Sequence, residues 1–164
     1  MAGLRRGVLG LAALSVVFGC AAPRSETPLE LSLNRLRPDS ATYTLASGFE
    51  TAGQFVARDR ATWQVLWQQV NAPHLPAPAL PVIDFDREMV LVVAMGRQAS
   101  GGHSLRFERV ARDGEGIVVT IRREQPGSGC IVPSALTFPV DIATVPRSSG
   151  PVAFKFESAT RDCR

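Results

Sequence analysis

The chain has 164 residues, about the length of one domain, and 45% of them are hydrophobic, which is enough to fill a core. Its formal net charge of +3 is too small to indicate a nucleic-acid-binding protein. Composition therefore favours a single globular domain and gives no reason to expect a nucleic-acid partner.

The N-terminus has the organisation of a secretory signal peptide. A basic pair, Arg5-Arg6, precedes an apolar run from Val8 to Phe18, which is shorter than a membrane-spanning helix needs. The next residues complete the sequence VFGC, which resembles the bacterial lipobox and implies cleavage after Gly19 and acylation of Cys20. The alternative is an ordinary signal peptide cut near Ala22.

We therefore expect a lipoprotein signal peptide at 1–19, a tether at 20–40 and a single domain at 41–164. Removing the signal peptide leaves 16 basic and 15 acidic residues, so the exported chain is nearly neutral. A lipid on Cys20, rather than charge, would then hold the protein on the membrane. The expected location is the bacterial cell envelope, on the periplasmic side of the outer membrane.

The first half of the domain shows weak strand signals and one clear helix. Short strands are predicted at Leu29–Leu33, Thr42–Ala46 and Gln54–Ala57, where apolar and polar residues alternate or β-formers cluster. Asp59 can cap a helix, and a proline-rich loop with an exposed His74 follows it. The helix is predicted from apolar residues at i, i+3, i+4 and i+7, which are Trp63, Leu66, Trp67 and Val70.

The second half is predicted to contain five or six strands. Met89–Met95 is uniformly apolar, which is typical of a strand buried on both faces. Alternating apolar residues mark the later strands, and DGEG at 113–116 predicts a tight turn. Because the loops are short, neighbouring strands are expected to be antiparallel. The predicted fold class is α+β, a mostly antiparallel sheet with one amphipathic helix, and a half-closed barrel stays an alternative.

The segment Gly96–His103 contains glycines, a serine and a histidine, which raises the question of phosphate binding or catalysis. A phosphate loop would need a following helix, and a P-loop also needs a lysine; this segment has neither. A nucleophile elbow requires glycine two residues before the serine, but Gln98 precedes Ser100 there. We expect Gly101-Gly102 to supply positive φ or close backbone approach between two paired strands.

Metal and acid–base chemistry find little support. His74 and His103 lack ligand spacing with each other and with the cysteines, so no metal or other cofactor is expected. Asp84, Asp86 and Glu88 would share one face of an extended chain, but a solvated edge or turn is the favoured interpretation. No positive case for an enzyme emerges.

Cys130 and Cys163 remain once Cys20 is assigned to a lipid. An exported compartment permits disulfides, and a bridge between them would close a loop of 33 residues. The alternative, a nucleophilic Cys130, would need a nearby base that the sequence does not show. We predict a Cys130–Cys163 disulfide.

Several motifs follow one another along the chain, and they are Leu66-Trp67, Asp84-Phe85, the loop Gly96–His103, and Thr137-Phe138-Pro139. In this order they resemble a known family of bacterial lipoproteins, that of the C-terminal domain of the protease complex subunit PrcB. The resemblance extends over about residues 45–146. His103 stands where the family usually has tyrosine, and Val140 where an aromatic residue is common.

This resemblance implies a non-catalytic, lipid-anchored accessory or binding subunit that stabilises a secreted or envelope protein such as a protease. The expected partner is therefore a protein, with the membrane reached through Cys20. The candidate partner-contact residues are Arg97, Ser100, Gly101, Gly102 and His103. One alternative is a small-ligand-binding envelope lipoprotein that uses the sheet and the proline-rich loop; a weaker one is a hydrolase that uses Ser100, His103 and Asp84 or Asp86.

Overall fold

A computed structural model describes residues 28–36 and 46–163 of the chain. The predicted signal peptide, Cys20 and most of the Thr42–Ala46 strand lie outside these residues. The described part contains two sheets and a helix arranged in three layers, with the four-stranded sheet in the middle. The elements are β1 (Asn34–Arg35), β2 (Ala52–Ala57), α1 (Arg60–Asn71), β3 (Glu88–Met95), β4 (Ser104–Asp113), β5 (Gly116–Pro126), β6 (Val140–Pro146) and β7 (Val152–Arg161).

Helix α1 begins directly after the N-cap residue that the sequence predicts. Asp59 is the N-cap, and its carboxylate accepts hydrogen bonds from the Thr62 backbone N–H and hydroxyl, both at 2.8 Å. These bonds stabilise the ionised form and lower the pKa of Asp59. The apolar stripe is buried, as predicted: Trp63, Leu66, Trp67 and Val70.

The middle sheet has the strand order β1-β6-β3-β2, and all its pairs are antiparallel. Strand β3 lies between two neighbours and is buried on both faces, which confirms its prediction as a central strand. Val90, Val92 and Ala94 pack in the cluster that contains the helix. Met89, Leu91 and Val93 pack in the cluster shared with the other sheet.

The second sheet has the order β4-β5-β7. Strands β4 and β5 form the predicted hairpin, and Gly114 takes the positive φ of 56° that its tight turn requires. The register shifts between Phe107 and Arg109, so β4 contains a bulge. This bulge explains why the buried residues Leu105, Phe107 and Val110 change spacing from two to three.

The expectation of antiparallel neighbours is wrong for β7, which pairs in parallel with β5 from Ile117↔Val152 to Pro126↔Arg161. The chain leaves β5, enters the middle sheet as β6 and then returns to the three-stranded sheet. One intervening strand reverses its direction, so β7 lies beside β5 with the same direction. Loop length predicts direction only when successive strands belong to the same sheet.

Residues 28–36, which fall inside the predicted tether, lie against the body of the domain. Backbone bonds of 2.8 Å join Leu31 N to Val110 O and Arg112 N to Leu29 O along the edge of β4. Further along, β1 pairs with the edge of β6. Instead of the predicted Leu29–Leu33 strand, this segment forms a single bridge at Glu30 and the short β1, and so connects the two sheets.

The described strands do not close into a barrel, since β2 and β7 each keep one edge without a partner strand. The α+β class with a mostly antiparallel sheet arrangement and one amphipathic helix is confirmed. Across residues 28–36 and 46–163, no helix has both the length and the hydropathy to span a membrane.

Candidate functional site

The glycine loop, residues 96–103, connects β3 of the middle sheet to β4 of the other sheet. The prediction that it joins two paired strands is therefore wrong, because β3 and β4 belong to different sheets. The roles predicted for its glycines are confirmed. Gly102 has a φ of 83°, and a Cβ on Gly101 would lie 2.9 Å from Pro133 Cδ.

A second loop, residues 127–139 between β5 and β6, packs against the glycine loop; we call it the cystine loop. Gln98 and Thr137 exchange two backbone hydrogen bonds, of 2.8 and 3.1 Å. The Thr137 hydroxyl donates to the Ser100 carbonyl at 2.9 Å, and Gly101 N donates to Pro133 O at 2.9 Å. The two loops therefore form one surface at the end of the two sheets.

The Cys130–Cys163 disulfide is present in the structure, as predicted, with the two Cα atoms 5.0 Å apart. It links the cystine loop to the chain just after β7. A backbone hydrogen bond also joins the cystine loop to the end of β7, because Gly127 N donates to Arg161 O at 3.0 Å. The bridge thus fixes the start of the cystine loop to the end of an edge strand.

The geometry does not support the hydrolase alternative. The Ser100 hydroxyl donates to the carbonyl of Gly101 at 3.1 Å and not to a histidine. His103 is half-buried and makes no hydrogen bond or ion pair to any described residue. Asp84 instead accepts from the Asp86 backbone N–H at 3.1 Å. Among residues 28–36 and 46–163, no base or orienting carboxylate is in place for Ser100.

The carboxylates Asp84, Asp86 and Glu88 do not line one face of an extended chain. The Asp84 carbonyl accepts from the N–H groups of Arg87 and Glu88, so this segment is a turn that leads into β3. Glu88 Oε1 accepts from the Thr144 hydroxyl at 3.1 Å. Among described residues no cluster of three or more His, Cys, Asp or Glu side chains could hold a metal.

His74 was expected to be exposed, but it is half-buried, with Nε2 2.9 Å from the Ala46 carbonyl oxygen. It lies in the proline-rich loop, which is held against α1 by both tryptophans. Trp63 Nε1 donates to Pro81 O at 3.1 Å, and Trp67 Nε1 donates to Pro78 O at 2.9 Å. Buried indole N–H groups need such partners, and the bonds explain how a loop without a strand partner is positioned.

A cavity of about 320 Å³ lies between α1 and the proline-rich loop. Arg60, Gln64 and Gln68 contribute polar lining, and Pro78 and Leu80 lie across from them. This volume is near the lower end of the range for small-molecule sites. The helix cluster beneath it is filled by side chains such as Trp63 and Val70 with at most 1% exposure, so the cavity is a groove at the surface of a packed core.

Asp141 is a buried charged residue that the sequence interpretation missed. Its side chain lies between the two sheets at 6% exposure, and its carboxylate accepts from Phe107 N at 2.7 Å and Ile142 N at 3.0 Å. Arg35 lies 3.5 Å away through Nε and also donates to the Phe107 carbonyl. Burial raises the pKa of Asp141, although these hydrogen bonds and Arg35 oppose the rise.

The location of these contacts gives Asp141 a structural role. Phe107 is the residue at which the β4 bulge begins. Its N–H donates to Asp141 of β6, and its carbonyl accepts from Arg35 of β1, so side chains of the middle sheet hold the bulge of the other sheet. The only signal in the sequence was a single acid within the apolar stretch of β6, where both faces of the strand are buried.

The exposed part of the loop surface combines charge and apolar groups. Arg97 is exposed and makes no ion pair to a described residue. On the cystine loop, Ile131 is fully exposed and Leu136 is 56% exposed. Exposed apolar side chains and arginines are both frequent at protein contact surfaces.

Comparison with known proteins places this loop surface inside a family match. No curated protein and no solved structure matches the chain significantly. The model of the family described as PrcB C-terminal matches residues 89–146, which includes both the glycine loop and the cystine loop. The motifs at Leu66-Trp67 and Asp84-Phe85 lie outside the match. Over strands β3 to β6, the chain resembles the PrcB C-terminal family.

Proposed function

We propose that the protein is a non-catalytic accessory subunit that binds an envelope or secreted protein, and that this partner is a protease. The observation that carries the proposal is the match of residues 89–146 to the PrcB C-terminal family, which suggests an accessory role beside a protease. The hydrogen-bond geometry at Ser100 and His103 does not support a hydrolase that uses these two residues.

The proposed contact surface is the pair of loops at the end of the sheets. The glycine loop brings Arg97, and the cystine loop brings Ile131 and Leu136. The disulfide and the Gln98–Thr137 bonds restrict both loops before binding, which lowers the entropy lost on association. Gly101 and Gly102 shape the surface and are not themselves its exposed groups.

The proposal includes a lipid anchor on Cys20, which would hold the domain near the membrane on which an envelope partner acts. Residues 28–36 pack on the domain, so the anchoring segment available between Cys20 and the body is short. The partner would therefore be membrane-associated or held close to the membrane.

Site-specific photocross-linking in the native cell tests the proposal. A photoreactive amino acid at Ile131 is expected to capture a defined partner, identified by mass spectrometry as a protease. The matched control is the same amino acid at Val65, an apolar residue of α1 that is 65% exposed and lies outside the family match. Identical captures at both positions, or a specific partner that is not a protease, would contradict the proposal.

A further inference from the structure

The inner face of the three-stranded sheet extends beyond the core and carries Arg123, which forms no ion pair with a described residue. Ile117, Val119 and Ile121 of β5 are buried on this face, and Arg123 and Gln125 follow them at the same alternation. On the neighbouring β7, Ser158 pairs with Arg123 and Thr160 pairs with Gln125. The apolar face of the sheet therefore ends in a polar patch.

A cavity of about 330 Å³ lies on this patch, lined by Arg123, Gln125, Ser158, Ala159 and Thr160. None of the described residues that line it is acidic. Strand β7 is an edge strand, so the cavity is bounded by β5 on one side and is not covered by a further strand of the described chain on the other.

The Arg123 guanidinium is held in place by an aromatic ring, and no described residue gives it an anionic partner. Its central carbon lies 4.7 Å from the centre of the Phe156 ring. Its Nε is buried and has no hydrogen-bond partner, and Arg123 forms no ion pair to a described residue. Burial of Nε leaves the terminal amino groups as the donors that a molecule in the cavity can reach. A partly desolvated guanidinium binds an anion more strongly than one in open water.

The hydroxyl groups around it complete a set of donors. The Gln125 amide donates to Thr160 Oγ1 at 3.3 Å, so the hydroxyl of Thr160 can donate its own proton elsewhere. Ser158 Oγ makes no hydrogen bond to a described residue. A planar bidentate donor with hydroxyl donors beside it suits a carboxylate, whose two oxygens accept in one plane.

We propose that this cavity binds a carboxylate, through the terminal nitrogens of Arg123 and the hydroxyls of Ser158 and Thr160. The site adjoins the start of the cystine loop, where a Cβ on Gly127 would lie 3.5 Å from Thr160 Cγ2, and its existence does not depend on whether the partner is a protease. Arg122, the preceding residue on the opposite face, is a natural contrast because it is already paired with Glu124 at 2.8 Å.

NMR titration of the full chain carrying Cys20→Ser tests the proposal directly. The probe is N-acetylglycine, and N-acetylglycinamide is the matched control that lacks only the carboxylate. The Nε–Hε resonance of Arg123 is expected to shift and saturate with N-acetylglycine and to stay unchanged with the amide. The Arg122 resonance serves as an internal control and is expected not to move.

Substitution gives an independent measurement. Arg123→Gln is expected to weaken binding of N-acetylglycine at least tenfold, and Arg122→Gln to leave it unchanged. No shift of the Arg123 resonance in the wild-type chain would overturn the proposal even if the substituted protein failed to fold. Equal shifts with the amide, or equal affinity for inorganic phosphate, would overturn the assignment of a carboxylate ligand.

Discussion

The bonds of Asp141 give a quantitative test of how the two sheets are joined. Asp141→Ala would leave the N–H groups of Phe107 and Ile142 without their carboxylate acceptor. An unsatisfied buried donor costs about 1–3 kcal/mol, and removal of a buried charge returns part of that cost. We therefore expect the free energy of unfolding to fall by about 2–4 kcal/mol, which is large beside the total stability of a domain.

The pKa of Asp141 makes this effect dependent on pH. Because burial raises the folded-state pKa above 3.8, the folded protein keeps the proton at pH values where the unfolded chain has released it. Stability from this group is thus present at low pH and is lost as pH rises from about 3.8 through the raised pKa. Asp141→Asn keeps an acceptor for Phe107 and removes the titration.

Urea unfolding followed by tryptophan fluorescence between pH 4 and 7 measures both effects. The stability of the wild-type protein relative to Asp141→Asn is expected to decrease as pH rises. Glu124→Gln, which removes the same charge from a partly exposed ion pair, is the control and should cost much less than Asp141→Ala. The reasoning fails if Asp141→Ala changes stability by less than about 0.5 kcal/mol, the usual size of a surface substitution.

Three further changes test other parts of the structure. Replacing Cys130 and Cys163 by serine removes a 33-residue loop closure and should lower stability by about 3–4 kcal/mol in urea; an unchanged midpoint would contradict this. Gly102→Ala should cost more than Gly114→Ala, since both have positive φ but a Cβ only at Gly102 would collide, at 2.7 Å from Val132 Cγ1; equal melting temperatures would refute the steric argument. Cys20→Ser should release the protein from membranes in cell fractionation, and its retention there would refute lipid anchoring.

The elements of the fold could be predicted because their signals are local. The apolar stripe of α1 and the uninterrupted apolar run of β3 each depend on residues a few positions apart. The parallel pairing of β7 with β5 could not be predicted in this way. It depends on β6 entering the other sheet, and the sequence between β5 and β7 carries no local signal for that choice.

The candidate surface was predicted in part. The glycine loop was singled out by composition, and its partner Thr137 by motif order, but their mutual hydrogen bonds bring together residues nearly 40 positions apart. Arg123 was missed, although it occupies the core-facing phase of β5 after three buried residues. A charged residue on the inward-facing side of a strand indicates that the strand has run past the sheet that covers it. The sequence alone does not show at which residue β5 leaves this cover.

The family match and the carboxylate cavity can be separated by experiment, because they share only part of the chain. Arg123 and Gln125 lie within residues 89–146, but Ser158 and Thr160 belong to β7, beyond the match. A Ser158→Ala/Thr160→Val double variant removes the hydroxyl donors and leaves both loops unchanged. We expect its affinity for N-acetylglycine to fall by about tenfold or more, since both hydroxyls are exposed to competing water and a hydrogen bond then contributes a net of about 0.5–1.5 kcal/mol.

The same variant should still cross-link its partner from position 131, because the cystine loop is held by the disulfide and by Thr137 rather than by these hydroxyls. Loss of cross-linking together with loss of N-acetylglycine binding would show that the cavity and the loops form one contact surface, with the partner supplying the carboxylate. Loss of N-acetylglycine binding alone would show two independent sites. Unchanged affinity would remove Ser158 and Thr160 from the site and leave Arg123 without the donors on which the choice of a carboxylate depends.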